Sequence, residues 1–135
     1  MSRRKYAARF EHLDDIRGYV GQRARAAGFD EKDVYSVQLA ADEAASNIIE
    51  HAYDGPSDAS FELGCSFRNK RLVMTFVDQG KSFDFANVDR PDVTADLSDR
   101  KIGGLGIYLM HKLMDEVDYK VTPSGNILTL VKRKG

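Results

Sequence analysis

Residues 61–68 and 72–77 read as two strands with only Asn69-Lys70-Arg71 between them, so they pair as a hairpin. Residues 117–121 and 127–131 form a second such pair, joined around Pro123-Ser124-Gly125-Asn126. Hairpins make neighbouring strands antiparallel, and this constrains the architecture more than any other feature. Residues 5–10 suit a first edge strand. From 11 to 27 the apolar positions Leu13, Ile16, Tyr19 and Val20 recur at helical spacing, and Gly28 is a natural stop. Asp30 with Asp33 resembles an N-cap and a first-turn acid, opening a second helix that runs to about His51. Asp54-Gly55-Pro56-Ser57 then breaks the chain. Residues 83–101 are polar, with Pro91 and five aspartates, and read as a long functional loop. A third helix, 105–114, starts at a glycine cluster. The order β-α-α-β-β-loop-α-β-β predicts an α+β fold: a two-layer α/β sandwich whose sheet is mixed and mainly antiparallel, with helices on one face. One domain, 1–135, accommodates all of it.

A charged fraction of 30% with a formal net charge of −1 fits a globular chain and gives no global attraction to nucleic acid or anionic lipid. Direct nucleic-acid and membrane roles are therefore not expected. The short basic clusters Arg3-Arg4-Lys5 and Lys132-Arg133-Lys134 sit at chain ends and read as solvated tails. The single cysteine, Cys65, has no partner for an internal disulfide and no zinc-type Cys/His cluster beside it. No signal peptide or apolar run of transmembrane length is visible, so a soluble cytoplasmic protein is expected.

Residues 41–53, ADEAASNIIEHAY, read as one helix in which Ala44, Ala45, Ile48, Ile49 and Ala52 share a core side. Glu43 and Asn47, four apart, fall on another stripe, where the alternative is a plain solvent face. A carboxylate and a carboxamide one turn apart can serve as a general base and a magnesium ligand. Downstream lie Asp78-Gln79-Gly80, at the end of a buried strand, and Gly103-Gly104-Leu105-Gly106, leading into the third helix. A strand-end carboxylate can accept a hydrogen bond from the adenine amino group, whereas guanine offers a carbonyl there. Glycines at a helix start let backbone N–H groups approach phosphate oxygens. Singly, the two segments are also explained by an Asp-x-Gly turn and a glycine cap. No G-x-x-x-x-G-K-[ST] loop is present, and Gly104-Leu105-Gly106 does not extend to G-x-G-x-x-G, which excludes the standard phosphate loop and Rossmann fingerprints.

Taken together, Glu43-x-x-x-Asn47, Asp78-x-Gly80 and Gly103-Gly104-x-Gly106 resemble the three nucleotide boxes of the GHKL ATPase superfamily. The anti-sigma factor serine-protein kinases are the nearest likeness, through EAASNIIEHAY, DQGKSFD, GGLGIYLMHKLMDEVDY and GNILTLVKR. The resemblance implies a Bergerat-type sandwich that binds ATP and Mg2+ under a short lid. It implies that Asn47 holds magnesium, Glu43 is the general base and Asp78 reads adenine. Gly80, Gly103, Gly104, Leu105 and Gly106 would line the nucleotide. It also implies a sigma factor and a small anti-anti-sigma antagonist as partners, phosphorylation of the antagonist on serine, and a homodimer. Ser82 stands where the adenine box often has a second glycine. Within the expected lid, 85–102, Arg100 or Lys101 is the candidate cation for the terminal phosphate. The alternative function is an ATP-gated protein-binding module without kinase activity.

Other residues read more simply. His51 suits a capping or packing role near a helix end. His12 superficially resembles a phosphoacceptor, but no dimerising helical hairpin presents it. Met110, Leu113 and Met114 read as core, and Cys65 as an inert buried thiol.

Overall fold

The computed structural model describes residues 3–82 and 104–135. The long polar stretch 83–101, most of the expected lid, and the candidate residues Arg100, Lys101 and Gly103 lie outside the described residues.

Strand β1 (Arg3–Ala7) leads through a 3-10 turn, Phe10–His12, into α1 (Leu13–Ala26). Helix α2 (Glu31–Asn47) starts where expected, with the Asp33 N–H donating to Asp30 Oδ1 at 2.8 Å. Strands β2 (Ser60–Arg68) and β3 (Arg71–Asp78), helix α3 (Gly104–Leu113), and strands β4 (Glu116–Thr122) and β5 (Gly125–Arg133) complete the order. The β2–β3 loop is only Asn69-Lys70, both at positive φ (53° and 62°), a geometry whose twist matches that of the flanking strands.

The sheet order is β1-β2-β3-β5-β4, and all four pairings are antiparallel. The expectation of a mixed sheet is corrected accordingly. After α3 the chain returns to the free edge beyond β5, and β5 then doubles back beside β3. A hairpin laid against a central strand in this sense needs no parallel neighbour.

Alternation along each strand assigns one face to the core. Leu63, Cys65, Leu72, Met74, Phe76, Leu128 and Leu130 are buried there beneath the helices, in mutual register. Ile16, Val20, Val34, Val37, Ala41, Ala45, Ile107 and Met110 close the core from the helix side. The small residues of α2 let it pack closely between α1 and α3. On the opposite face, Val73, Thr75, Val77, Ile127 and Thr129 lie half-covered with no described helix over them.

The basic clusters are not tails. Arg3, Arg4 and Lys5 belong to β1, where backbone pairing with β2 holds them, and the Arg4 guanidinium lies 4.0 Å from the centre of the Tyr19 ring. Lys132 and Arg133 belong to β5, and Lys132 Nζ donates to the Leu113 carbonyl (2.9 Å), satisfying the end of α3. The first strand ends at Ala7, short of the expected Phe10, because the chain turns into the 3-10 segment.

Candidate active site

The inward row of β3 runs Leu72, Met74, Phe76 and then Asp78, so the period of a core strand ends on a carboxylate. Directly opposite Asp78 in the β3–β5 register is Asn126. Among the described residues only three polar or charged side chains are buried, and they are Asn47, Asp78 and Asn126. Buried polar groups without a structural reason are rare, so their placement marks the site.

Asp78 Oδ1 accepts from the Gly80 N–H and from Asn126 Nδ2, each at 2.9 Å. Asn126 Nδ2 also lies 2.9 Å from the Gly80 carbonyl. One carboxylate oxygen is thus held on both sides, while no donor among the described residues is assigned to Oδ2. Burial pushes the Asp78 pKa above the usual carboxylate range, and the Asn126 and Gly80 donors oppose that shift. A carboxylate so placed can present Oδ2 to an external N–H donor.

The segment after Asp78 is clamped from two sides. A Cβ on Gly80 would lie 2.3 Å from the Ala52 carbonyl oxygen, so only glycine lets the segment lie this close to α2's extension. Gly125, at φ 136°, brings the β4–β5 turn onto Asp78, and Gln79 Nε2 donates to the Ser124 carbonyl at 2.7 Å.

The helical path does not remain α to His51. It changes at Ile48 into a π-helical turn, Ile48–Ala52, with Tyr53 N bonding Ile48 O at 3.0 Å and Gly55 N bonding Ile49 O at 2.8 Å. The wider turn leaves the Ala52 carbonyl free to accept from Lys81 N at 2.8 Å.

Asn47, the last α residue before this turn, is buried, and its side-chain nitrogen has no hydrogen-bond partner among the described residues. Glu43, one turn earlier, is half-buried. Neither occupies a solvent face. A Cβ on Gly106 would lie 2.7 Å from Glu43 Oε2 and 3.1 Å from Asn47 Nδ2, so the first turn of α3 sits directly on the pair. Gly104 and Leu105 form the start of that helix. Burial first, then the charges of Asp42 and Glu50, raises the Glu43 pKa. Asp42 is itself paired with Arg17, which also holds Asp14.

The site residues therefore form two groups. Glu43, Asn47 and Gly106 meet at one, and Asp78, Gly80 and Asn126 at the other, with the π turn between them. In the sequence Asn126 reads only as part of a turn; an asparagine directly after a turn glycine is its one signal. No described cluster of three or more His, Cys, Asp or Glu side chains could hold a metal, so a cation here would rely on Asn47 together with ligand oxygens. The Asn47 side-chain nitrogen, with no hydrogen-bond partner among the described residues, suits that need, because turning the amide by half a revolution puts its oxygen in that place.

The remaining candidates play packing parts. His51 lies beside Glu50, with Nε2 3.6 Å from its carboxylate, and the His12 ring centre lies 6.1 Å from that of Tyr6, tilted by 48°. Met110 and Met114 are core. Cys65 is buried, its thiol pushed up to about 11, mainly by desolvation.

Comparison with known proteins follows the same outline. The model of the histidine kinase-like ATPase domain family matches residues 6–132. A serine-protein kinase RsbW from Halalkalibacterium halodurans is 33% identical over 131 residues, covering 93% of this chain and 78% of that protein. The RsbW of Bacillus pumilus is 33% identical over 134 residues, covering 95% and 82%. Among solved structures, the RsbU and RsbW domains of a Mycobacterium tuberculosis protein superpose with a TM-score of 0.62 at 16% identity, over 98% of this chain but 32% of that one. The catalytic domain of the histidine kinase ThkA superposes with a TM-score of 0.57 at 10% identity, over 99% and 97%. These structural likenesses concern the fold.

Proposed function

The chain belongs to the family of histidine kinase-like ATPase domains, and from that premise we propose that it is an ATP-dependent serine-protein kinase acting as an anti-sigma regulatory factor. Its partners are a sigma factor, which it sequesters, and a small antagonist protein, which it phosphorylates on serine. The observation that carries the reading is the pair formed by half-buried Glu43 and the unsatisfied Asn47 amide against Gly106.

The roles divide along the two groups. Asp78 Oδ2 accepts a hydrogen bond from the adenine amino group, and Asn126 holds the opposite carboxylate oxygen in place. Gly80 and Gly106 supply close backbone approach, with Gly104 and Leu105 at the phosphate-facing helix start; Gly103, outside the described residues, is assigned to the nucleotide on the resemblance alone. Asn47 would hold Mg2+ through its side-chain oxygen. Bound magnesium supplies charge neutralisation at the phosphates during transfer. Glu43 accepts the proton of the attacking serine hydroxyl as its oxygen bonds to the γ-phosphorus, while the bond from that phosphorus to the β,γ-bridging oxygen breaks and ADP leaves with the bonding electrons. The raised pKa of Glu43 moves its basicity toward that of an efficient base near neutral pH. Arg100 or Lys101 is assigned to the terminal phosphate. The whole chain, 1–135, acts as one such domain.

We also assign a homodimer, supported by the half-covered sheet face, with no described helix over it, on which Val73, Thr75 and Val77 stand beside Thr129 and Ile127. Sedimentation equilibrium tests it, and a monomer at micromolar concentration overturns it.

The function is tested by passing native extract over the immobilised protein with Mg-ATP or Mg-ADP and sequencing the captured proteins and their phosphosites. A sigma factor retained with ATP, together with a small antagonist newly phosphorylated on serine, is the expected result. Nucleotide-dependent capture without phosphoserine would overturn the kinase assignment and leave an ATP-gated binding module.

A further inference from the structure

Tyr53 stands directly after the π turn, and its hydroxyl spans two distant segments. It lies 2.7 Å from the Ser60 carbonyl at the start of β2, and the Gln79 N–H comes to within 2.9 Å of it. The chemistry fixes the direction of both bonds. A carbonyl only accepts, so the one hydroxyl proton goes to Ser60, and a lone pair takes the Gln79 N–H. Gln79 is the residue between Asp78 and Gly80.

We propose that Tyr53 is a positioning residue for nucleotide binding: its hydroxyl fixes the segment 78–81 against the helix that carries Glu43 and Asn47. This deepens the kinase reading above and rests on it. Among the described residues, three other contacts join the same two parts. The Lys81 N–H bonds the Ala52 carbonyl (2.8 Å), and the Gly80 backbone abuts that carbonyl. Both are backbone contacts, indifferent to side-chain chemistry. The third, Lys81 Nζ to Asp54 Oδ2 at 2.8 Å, is an exposed ion pair, a class that contributes little. Tyr53 is the side chain that both parts depend on. Its ring is partly buried against the core, which holds the hydroxyl in place without a further partner.

The geometric consequence is specific. The base-reading carboxylate sits one residue before Gln79, and the Glu43–Asn47 pair lies on the helix leading into Tyr53. Loosening the Gln79 amide shifts the carboxylate relative to the pair, so a nucleotide that must reach both binds less well. Once it is bound, the reacting groups at Glu43 are unchanged. Affinity is lost and turnover at saturation is kept.

The test compares wild type, Tyr53→Phe and Lys81→Ala. It reads calorimetric affinity for ADP and ATP, kcat and KM for phosphotransfer, Tm, and hydrogen exchange of the Gln79 amide. For Tyr53→Phe the expected result is an affinity about tenfold weaker and a KM raised in parallel. The kcat should stay within about twofold, and the Gln79 amide should exchange faster. Lys81→Ala should bind like wild type. A Tyr53→Phe protein with lowered Tm but wild-type KM overturns the proposal and leaves a structural tyrosine, as does a loss confined to kcat. A wild type that binds no adenine nucleotide overturns the kinase reading and this inference together. Wild-type binding matched by Tyr53→Phe overturns only this inference.

Discussion

Asn126 faces Asp78 across the β3–β5 register, and its amide donates to one carboxylate oxygen at 2.9 Å. The same nitrogen reaches the Gly80 carbonyl, so one side chain orients both the carboxylate and the turn that follows it. Replacing Asn126 with alanine strands these acceptors in a buried place, at a cost of about 1–3 kcal/mol. With a donor gone, the Asp78 pKa climbs further and its ionised form is less favoured. Asn126→Ala should therefore melt earlier and bind ATP about tenfold more weakly. Calorimetry beside thermal unfolding checks this; a lower Tm with intact affinity would reduce Asn126 to a packing role.

Asp78→Asn separates stability from binding. Burial raises the folded-state pKa of Asp78, so its contribution is fully present below the unfolded carboxylate pKa and is lost as pH rises through the folded value. Asparagine keeps an oxygen for the Gly80 and Asn126 donors and carries no charge to desolvate. The variant should be at least as stable as wild type at pH 7, and it should lack that loss of stability with rising pH. Facing the adenine amino group, however, it can turn an amide donor toward a donor. ATP affinity should fall about 100-fold. A destabilised variant that still binds ATP would reverse both halves of the argument.

Glu43→Gln tests the base. The amide preserves size and cannot accept the serine proton, so nucleotide binding should persist while phosphotransfer falls by roughly 10²–10⁴-fold. In wild type the transfer rate should decline on the acid side above the ordinary carboxylate range, because Glu43 must be ionised and burial raises its pKa. A rate profile flat down to the ordinary range, or full activity in the variant, would remove Glu43 from the chemistry.

Much of this was legible locally. Asp30 announced the start of α2, the short loops announced the hairpins, and spacing placed Glu43 beside Asn47. What escaped depends on long-range pairing. Asn126 reads as part of a turn until β5 is laid against β3, and only then does it face Asp78. Tyr53 reads as a helix end until the π turn swings it between Ser60 and Gln79. The wholly antiparallel sheet has the same origin, since strand order around α3 is a property of the packed chain. The basic ends read as tails because charge is a local signal, whereas strand pairing is not; the side chains of Arg3, Arg4 and Lys5 stay exposed while their backbone pairs with β2.

Gly106→Ala sets local propensity against site geometry. Within a helix, alanine is favoured over glycine by about 1 kcal/mol, so α3 taken alone should gain. Here the new methyl would sit 2.7 Å from Glu43 Oε2 and 3.1 Å from Asn47 Nδ2. One contact is far inside van der Waals distance and the other is tight, and both are with side chains rather than backbone. Glu43, which is half-buried, can swing away at modest cost; Asn47, which is buried, has less room. The fold should therefore survive, with a Tm near that of wild type, because the gain in helix propensity offsets the local shift. The binding pair should not survive in its working arrangement. On the roles proposed above, displacing Glu43 would take the base from the serine, and crowding Asn47 would take the cation's protein ligand. Magnesium-dependent ATP affinity should fall at least about tenfold, with transfer reduced further. Titrating ATP with and without magnesium isolates the effect: the variant should lose the magnesium-dependent increment and retain the part of binding that Asp78 supplies. A variant that keeps the full magnesium increment would show that α3 does not need to approach Glu43 and Asn47 this closely for the site to work.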